Sequence, residues 1–205
     1  GTRVSADRQI DPVLLSALLE RFEAQLALNG TNYFENTLAG LTALGQGGGL
    51  RHIVVGVIGP REATAAQYAT AERIGQGLAA LGVTVICGGR SGVMTAVSKG
   101  CAEAGGLVVG LLPGSTPDEA NAHVSVPLPT GLGEARNMVI AKSARVLIAV
   151  GGSYGTLSEV AYGLHFSKRV IGLEGAPDVQ GVTHVTGVDA ALAEVAAALI
   201  ASAEV

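Results

Sequence analysis

Charge is scarce in this chain. Asp, Glu, Lys and Arg make up 15% of its 205 residues, against ~25% in ordinary soluble domains. No run of Lys or Arg occurs and the formal net charge is −4. Grip on a nucleic-acid backbone needs clustered cations, so nucleic acid is not expected as a partner. Long apolar runs are missing too. No stretch nears the ~18 residues needed to cross a bilayer, and no basic segment leads into an apolar one near the start. Neither a membrane span nor a secretory signal is expected. Cysteine is down to Cys87 and Cys101, each inside an expected regular element. They suit packing roles in a reducing compartment, which points to the cytoplasm. His52, His123, His165 and His184 are scattered without metal-ligand spacing, so no metal site is expected.

What is present is apolar and glycine-rich. Hydrophobic residues reach 48%, much of it Ala and Val, and there are thirty glycines. The glycines are clustered rather than periodic, which excludes collagen-like and solenoid architectures. The length suggests one domain with an appendage.

Residues 1–49 differ from the rest. Asp11 and Pro12 suit a helix start, and Leu14, Leu15, Leu18, Leu19, Phe22 and Leu26 follow at helical spacing. "NGTN" at 29–32 breaks that helix, a second short one is expected over Glu35–Leu44, and "GQGGGL" at 45–50 suits a hinge or turn. This segment is read as an N-terminal helical extension, and residues 50–205 as the main domain. There the pattern alternates. Strands are expected at 53–58, 83–87, 107–112, 123–128, 145–150 and 169–173. Helices are expected at 64–81, 92–104, 133–143, 154–165 and 188–203, with an irregular loop at 113–122. Apolar β-branched runs alternating with helical faces imply an α/β fold: a doubly wound parallel sheet with helices on both faces. Ligands of such folds sit at the carboxyl ends of the strands, near a topological switch point.

Three strands run straight into glycines and then into a helix. "GVIGPREAT" carries Gly56 and Gly59, "CGGRSGVM" carries Gly88, Gly89 and Gly92, and "VLIAVGGSYGTLSEV" carries Gly151, Gly152 and Gly155. Glycine lets another group approach the main chain, and a helix start offers unpaired N–H groups and the positive end of a dipole. Tight strand-to-helix turns need glycine anyway, but three at one sheet edge favour a phosphate-bearing ligand. The candidate phosphate-binding positions are Gly59, Gly88, Gly89, Arg90, Gly92, Val93, Met94, Gly152, Ser153, Tyr154, Gly155 and Thr156. No P-loop or G-x-G-x-x-G fingerprint occurs, which removes ATP-hydrolysis and NAD readings; "GGSYG" at 151–155 has G-x-S-x-G spacing, but no serine hydrolase is expected.

Two charged residues stand out. Thr156-Leu157-Ser158-Glu159 fits a capping box, in which Glu159 bonds back to the helix start. Alternatively its carboxylate faces the ligand as a general base or hydroxyl acceptor. Arg136, early in the helix after Gly131 and Gly133, is either a surface partner of Glu134 or a guanidinium aimed at phosphate.

Together "GVIGPREAT", "GGRSGVMTAVSKGCAEAGGLVVGLLPG" and "TGLGEARNMVIAKSARVLIAVGGSYGTLSEVAYGL" resemble the Lonely Guy superfamily of Rossmann-like proteins, over about residues 51–175. The likeness is greatest to the branch holding molybdenum cofactor carrier proteins and relatives of DNA-processing protein A. Enzymatic members carry P-G-G-x-G-T-x-x-E, which falls here on residues 151–159, with Gly151 for the Pro and Ser153 for the second Gly. The resemblance implies a homodimer with sites near the subunit interface. It matches Arg136 and Glu159 to residues implicated, in the phosphoribohydrolases, in cleaving a nucleoside 5′-monophosphate. A lysine decarboxylase label gains no support, since the chain has three lysines and no evident pyridoxal-phosphate site. Two functions follow as expectations. One is a binding module for molybdenum cofactor or a nucleotide, with no catalysis and no cofactor required. The other is a phosphoribohydrolase that releases free base, with Arg136 and Glu159 as catalytic residues.

Overall fold

A computed structural model of the chain describes residues 48–201 together with Thr42 and Gly45. The expected N-terminal helices lie almost wholly outside the described residues. From Val54 onward strand and helix alternate: β1 (Val54–Ile58), α1 (Ala65–Ala80), β2 (Thr84–Cys87), α2 (Val93–Glu103), β3 (Leu107–Leu112), β4 (Val126–Pro129), α3 (Arg136–Ser143), β5 (Val146–Val150), α4 (Tyr154–His165), β6 (Arg169–Leu173), β7 (Val182–His184) and α5 (Val188–Ala201). The seven strands form one parallel sheet in the order β4-β3-β2-β1-β5-β6-β7. This is the expected Rossmann-like architecture.

The central strands are apolar at nearly every position because helices cover both faces. Side chains alternate along each strand. Val55, Val57, Val85, Ile148 and Val150 pack with Ala71, Ile74 and Leu78 of α1, Val93 and Val97 of α2, and Leu192 and Val195 of α5. Ile58, Ile86, Leu147 and Ala149 point the other way, onto Ile140 and Ala141 of α3 and Val160 of α4. Thr64 opens α1 by a capping box with Gln67, an arrangement that satisfies two orphan N–H groups at once. Glycine then sets how closely α1 and α2 approach. A Cβ on Gly100 would lie 1.9 Å from the Glu72 carbonyl oxygen, and one on Gly75 2.3 Å from that of Val97.

Three expectations shift. The strand expected at 123–128 is β4 at Val126–Pro129, preceded by a turn in which Asn121 Oδ1 accepts the His123 N–H. Its Pro127 and Pro129 are tolerated because β4 is an edge strand, with a side that needs no donors. The helix expected at 133–143 starts as a 3₁₀ turn at Gly133–Ala135 and becomes α only at Arg136. β7 is a strand the sequence pattern does not announce. It has three residues and exists by pairing with β6, Val170 opposite Val182.

The chain steps outward from β1 through β2 and β3 to β4, then returns to lay β5 on the opposite flank of β1. β1 and β5 therefore bound the switch point, where successive connections leave in opposite directions and open a crevice at the carboxyl ends.

Candidate functional site

The three glycine stretches follow β2, β1 and β5, which are neighbours in the sheet and run parallel, so all three loops emerge at one edge. The first two loops touch. Val93 N–H donates to the Pro60 carbonyl over 3.1 Å. Gly92 sits at φ +67°, where a Cβ would lie 2.4 Å from the carbonyl oxygens of both Pro60 and Arg61. Gly59 is equally confined, its Cβ position 2.5 Å from Val150 O and 2.7 Å from Val93 Cβ. Gly88 lies under the guanidinium of Arg136, where a Cβ would meet Nη2 and Met94 Sδ at 2.6 Å. Gly89 takes φ +70° against Leu112 and Gly110. In the third loop Gly152 backs onto the Gly175 carbonyl, 3.1 Å from its Cβ position. Gly155 is different: the nearest atoms, Ser153 Oγ and Asn137 Nδ2, are 3.7 and 3.9 Å away, leaving room beside it.

The helix starts are partly committed. The Val93 side chain and most of Met94 are buried in the core, and the Val93 amide is taken by Pro60. Ser153, not Thr156, caps α4: its Oγ accepts the Thr156 N–H at 3.2 Å and lies 3.0 Å from Thr156 Oγ1. The capping-box reading of Thr156 and Glu159 therefore fails. α4 begins three residues earlier than that motif implies, which puts Glu159 in the second turn, out of reach of the cap. The amides of Tyr154 and Gly155 open the helix, and the Tyr154 ring is 93% exposed.

Glu159 is instead 6% exposed and Arg136 4%, and they face each other with Nη1 and Oε1 3.5 Å apart. A surface pairing of Arg136 with Glu134 is thus also overturned, because the start of α3 turns the guanidinium inward. Nη1 also donates to Asn137 Oδ1, and Asn137 Nδ2 donates to Ser158 Oγ at 3.2 Å. Ser158 Oγ in turn donates to the Gly155 carbonyl at 2.7 Å. This chain of bonds ties α3 to the first turns of α4. Among the described residues, Arg136 Nε is buried without a hydrogen-bond partner, an expensive state for a guanidinium donor. Burial pushes the Glu159 carboxyl up to about 8; the Arg136 charge pulls it back and the Glu134 charge adds to the rise. Burial likewise lowers Arg136, with Glu159 opposing. A carboxyl held this way can carry a proton near neutrality, which spares a neighbouring phosphate the repulsion of a full charge.

Arg90 lies at the edge of the loop after β2, 3.6 Å from Glu119. Its carbonyl accepts from Thr95 Oγ1 at 2.7 Å and Asn121 Nδ2 at 3.0 Å, which fixes the loop rather than the side chain. Two residues that the motifs did not mark also belong to this edge. Gln67 caps α1 and reaches across to the Glu174 carbonyl at 3.2 Å, beside Gly151. Arg61 forms a 2.7 Å ion pair with Glu134. Its only sequence signal is its place directly after Gly59-Pro60.

A model of the SLOG cluster4 family matches residues 52–202. The chain belongs to the SLOG cluster4 family. An uncharacterised protein of Archaeoglobus fulgidus is 41% identical over 128 residues, 62% of this chain and 84% of that protein. Among solved structures, this SLOG chain is similar to the molybdenum cofactor binding protein of the phototrophic bacterium Rippkaea orientalis, at 34% identity and TM-score 0.67, over 72% of this chain and 97% of that one. The molybdenum cofactor carrier protein of Chlamydomonas reinhardtii matches at 37% identity and TM-score 0.67, over 72% and 98%. DNA processing protein A of Streptococcus pneumoniae shares the fold at 21% identity and TM-score 0.58, over 69% of this chain and 61% of its own.

Proposed function

We propose that this SLOG protein binds a phosphorylated, nucleotide-like small molecule at the glycine-lined carboxyl edge of β2, β1 and β5, in a carrier role, with molybdenum cofactor as the leading ligand. The observation that carries this is Arg136. It is buried between the second and third glycine loops, and among the described residues one of its donors, Nε, has no partner. A buried guanidinium with an unused N–H fits an anionic group of the ligand, because a phosphate oxygen would satisfy it with a charge-assisted bond. The helix starts after Gly92 and Ser153 would add main-chain N–H groups. Similarity to the two molybdenum cofactor proteins supports this ligand class over a generic nucleotide. In this reading residues 50–205 form the binding domain, residues 1–49 are a helical extension, and the protein is a cytoplasmic homodimer.

The experiment is purification from cells grown with and without molybdate, followed by metal analysis and fluorescence of the oxidised pterin. Bound molybdenum and pterin in near-stoichiometric amounts support the carrier reading. Their absence, together with no uptake of cofactor released from a donor enzyme, removes it.

The Arg136–Glu159 pair favours one second reading, hydrolysis of the base–ribose bond of a nucleoside 5′-monophosphate. Arg136 would hold the substrate. Glu159, with its proton retained near neutrality, would act on the ribose hydroxyls or assist attack by water. Incubation with AMP and N6-substituted analogues decides: free base that disappears in Glu159→Gln would establish turnover.

A further inference from the structure

We propose that Arg61 is an anion-binding residue of this same site, held in reserve by Glu134 until a phosphate monoester displaces the carboxylate. The inference rests on the binding reading above. Arg61 and Glu134 come from different loops, the one after β1 and the 3₁₀ turn before α3, and their ion pair at 2.7 Å spans the edge where the glycine loops meet.

Two ion pairs of opposite character share that edge. Arg136 and Glu159 have side chains 4% and 7% exposed, so the pair cannot open without stranding a buried guanidinium. Arg61 and Glu134 are 46% and 67% exposed. Water can solvate either partner when the pair opens, and such exposed pairs contribute little to stability. A phosphate offers Arg61 more than Glu134 does: more negative charge and a bidentate match to the guanidinium fork. Exchange of Glu134 for phosphate is therefore downhill at Arg61, whereas exchange of Glu159 is not at Arg136.

The surroundings suit such an exchange. The Arg61 main chain is pinned, since its carbonyl oxygen lies 2.4 Å from where a Gly92 Cβ would be, so its side chain starts from a fixed point beside the second loop. Glu134 sits on a turn held by main-chain bonds, Gly131 N–H to the Gly114 carbonyl at 2.8 Å and Gly133 N–H to the Pro113 carbonyl at 2.9 Å, so its exposed side chain and not the turn does the moving. Gly131 and Gly133 have φ of +65° and +56°, yet among the described residues nothing approaches the Gly133 Cβ position within 4 Å, and only Ser115 Oγ, at 3.4 Å, approaches that of Gly131. These glycines serve backbone conformation and not packing, so the Glu134 side chain can swing aside without repacking a neighbour. The unpartnered Nε of Arg136, two residues further on, marks the same region as built for an anion.

The test is calorimetric titration of AMP into the full chain and into Arg61→Gln, Glu134→Gln, Glu134→Ala and the Arg61→Gln/Glu134→Gln double variant, each checked for an unchanged unfolding midpoint. Arg61→Gln should weaken binding roughly tenfold. Removal of Glu134 should tighten it several-fold, by either substitution. The deciding comparison is the background: the gain from Glu134→Gln should be large when Arg61 is present and small when it is Gln. An equal or larger gain without Arg61 would mean simple repulsion between Glu134 and phosphate, and would overturn the inference. So would wild-type binding that no variant alters. A wild-type chain that binds neither AMP nor molybdenum cofactor would instead remove the binding reading itself, and Arg61 with it.

Discussion

Glu159 shows how much a single residue depends on what surrounds it. Its folded carboxyl lies near 8 rather than at its ordinary 4.5, with burial as the main cause. Folding therefore favours its protonated form. The resulting stabilisation is complete below the ordinary value and is lost as pH rises toward 8. Urea unfolding of the wild type should show stability falling between about pH 5 and pH 8, and Glu159→Gln should remove much of that slope. A variant that keeps the same slope would place the proton elsewhere. The sequence left Glu159 open between a cap and a ligand-facing carboxylate. The cap belongs to Ser153, because the register of a helix start is set by where the preceding strand and its loop deliver the chain, which no local motif contains.

At the scale of the element, small residues decide how helices begin and how they touch. Ser153 stands where the enzymatic motif has Gly, and its hydroxyl satisfies a first-turn N–H of α4. Ser153→Ala should cost about 1 kcal/mol of unfolding free energy, and Ser153→Gly only a few tenths. The glycine variant thus also tests whether the hydroxyl crowds a ligand: AMP affinity that rises in Ser153→Gly with unchanged stability would show that it does. The contact between α1 and α2 is set by main chain on one side. In Gly100→Ala the new methyl would meet the Glu72 carbonyl at 1.9 Å, and since backbone cannot rotate away the helices must separate. A loss of roughly 1–3 kcal/mol is expected, and more if the sheet face beneath opens. Denaturant midpoints measure it directly.

At the scale of the molecule, the sheet order matters more than any motif. Residues 59, 92 and 155 are far apart in the chain, and only the placement of β5 beside β1 brings their loops to one edge. Ligand linkage reads this out for the whole fold. AMP at about a hundred times its dissociation constant should stabilise the native state by ~2.7 kcal/mol. Single-stranded DNA at physiological salt should give no shift, given a net charge of −4 and no basic run. A shift with DNA and none with AMP would move the function toward that of DNA processing protein A, with which the chain shares the fold.

By itself the sequence determined the alternation of strand and helix, the parallel sheet and the glycine loops, because apolar periodicity and strand-to-helix turns are local properties of the chain. It also singled out Arg136 and Glu159. Tertiary structure alone decided that these two are buried against each other, that Val93 and Thr156 spend their amides on Pro60 and Ser153, and that Arg61 meets Glu134 across 73 positions. Burial and pairing between distant segments are set by how the sheet brings its loops together, and a one-dimensional pattern carries no record of that.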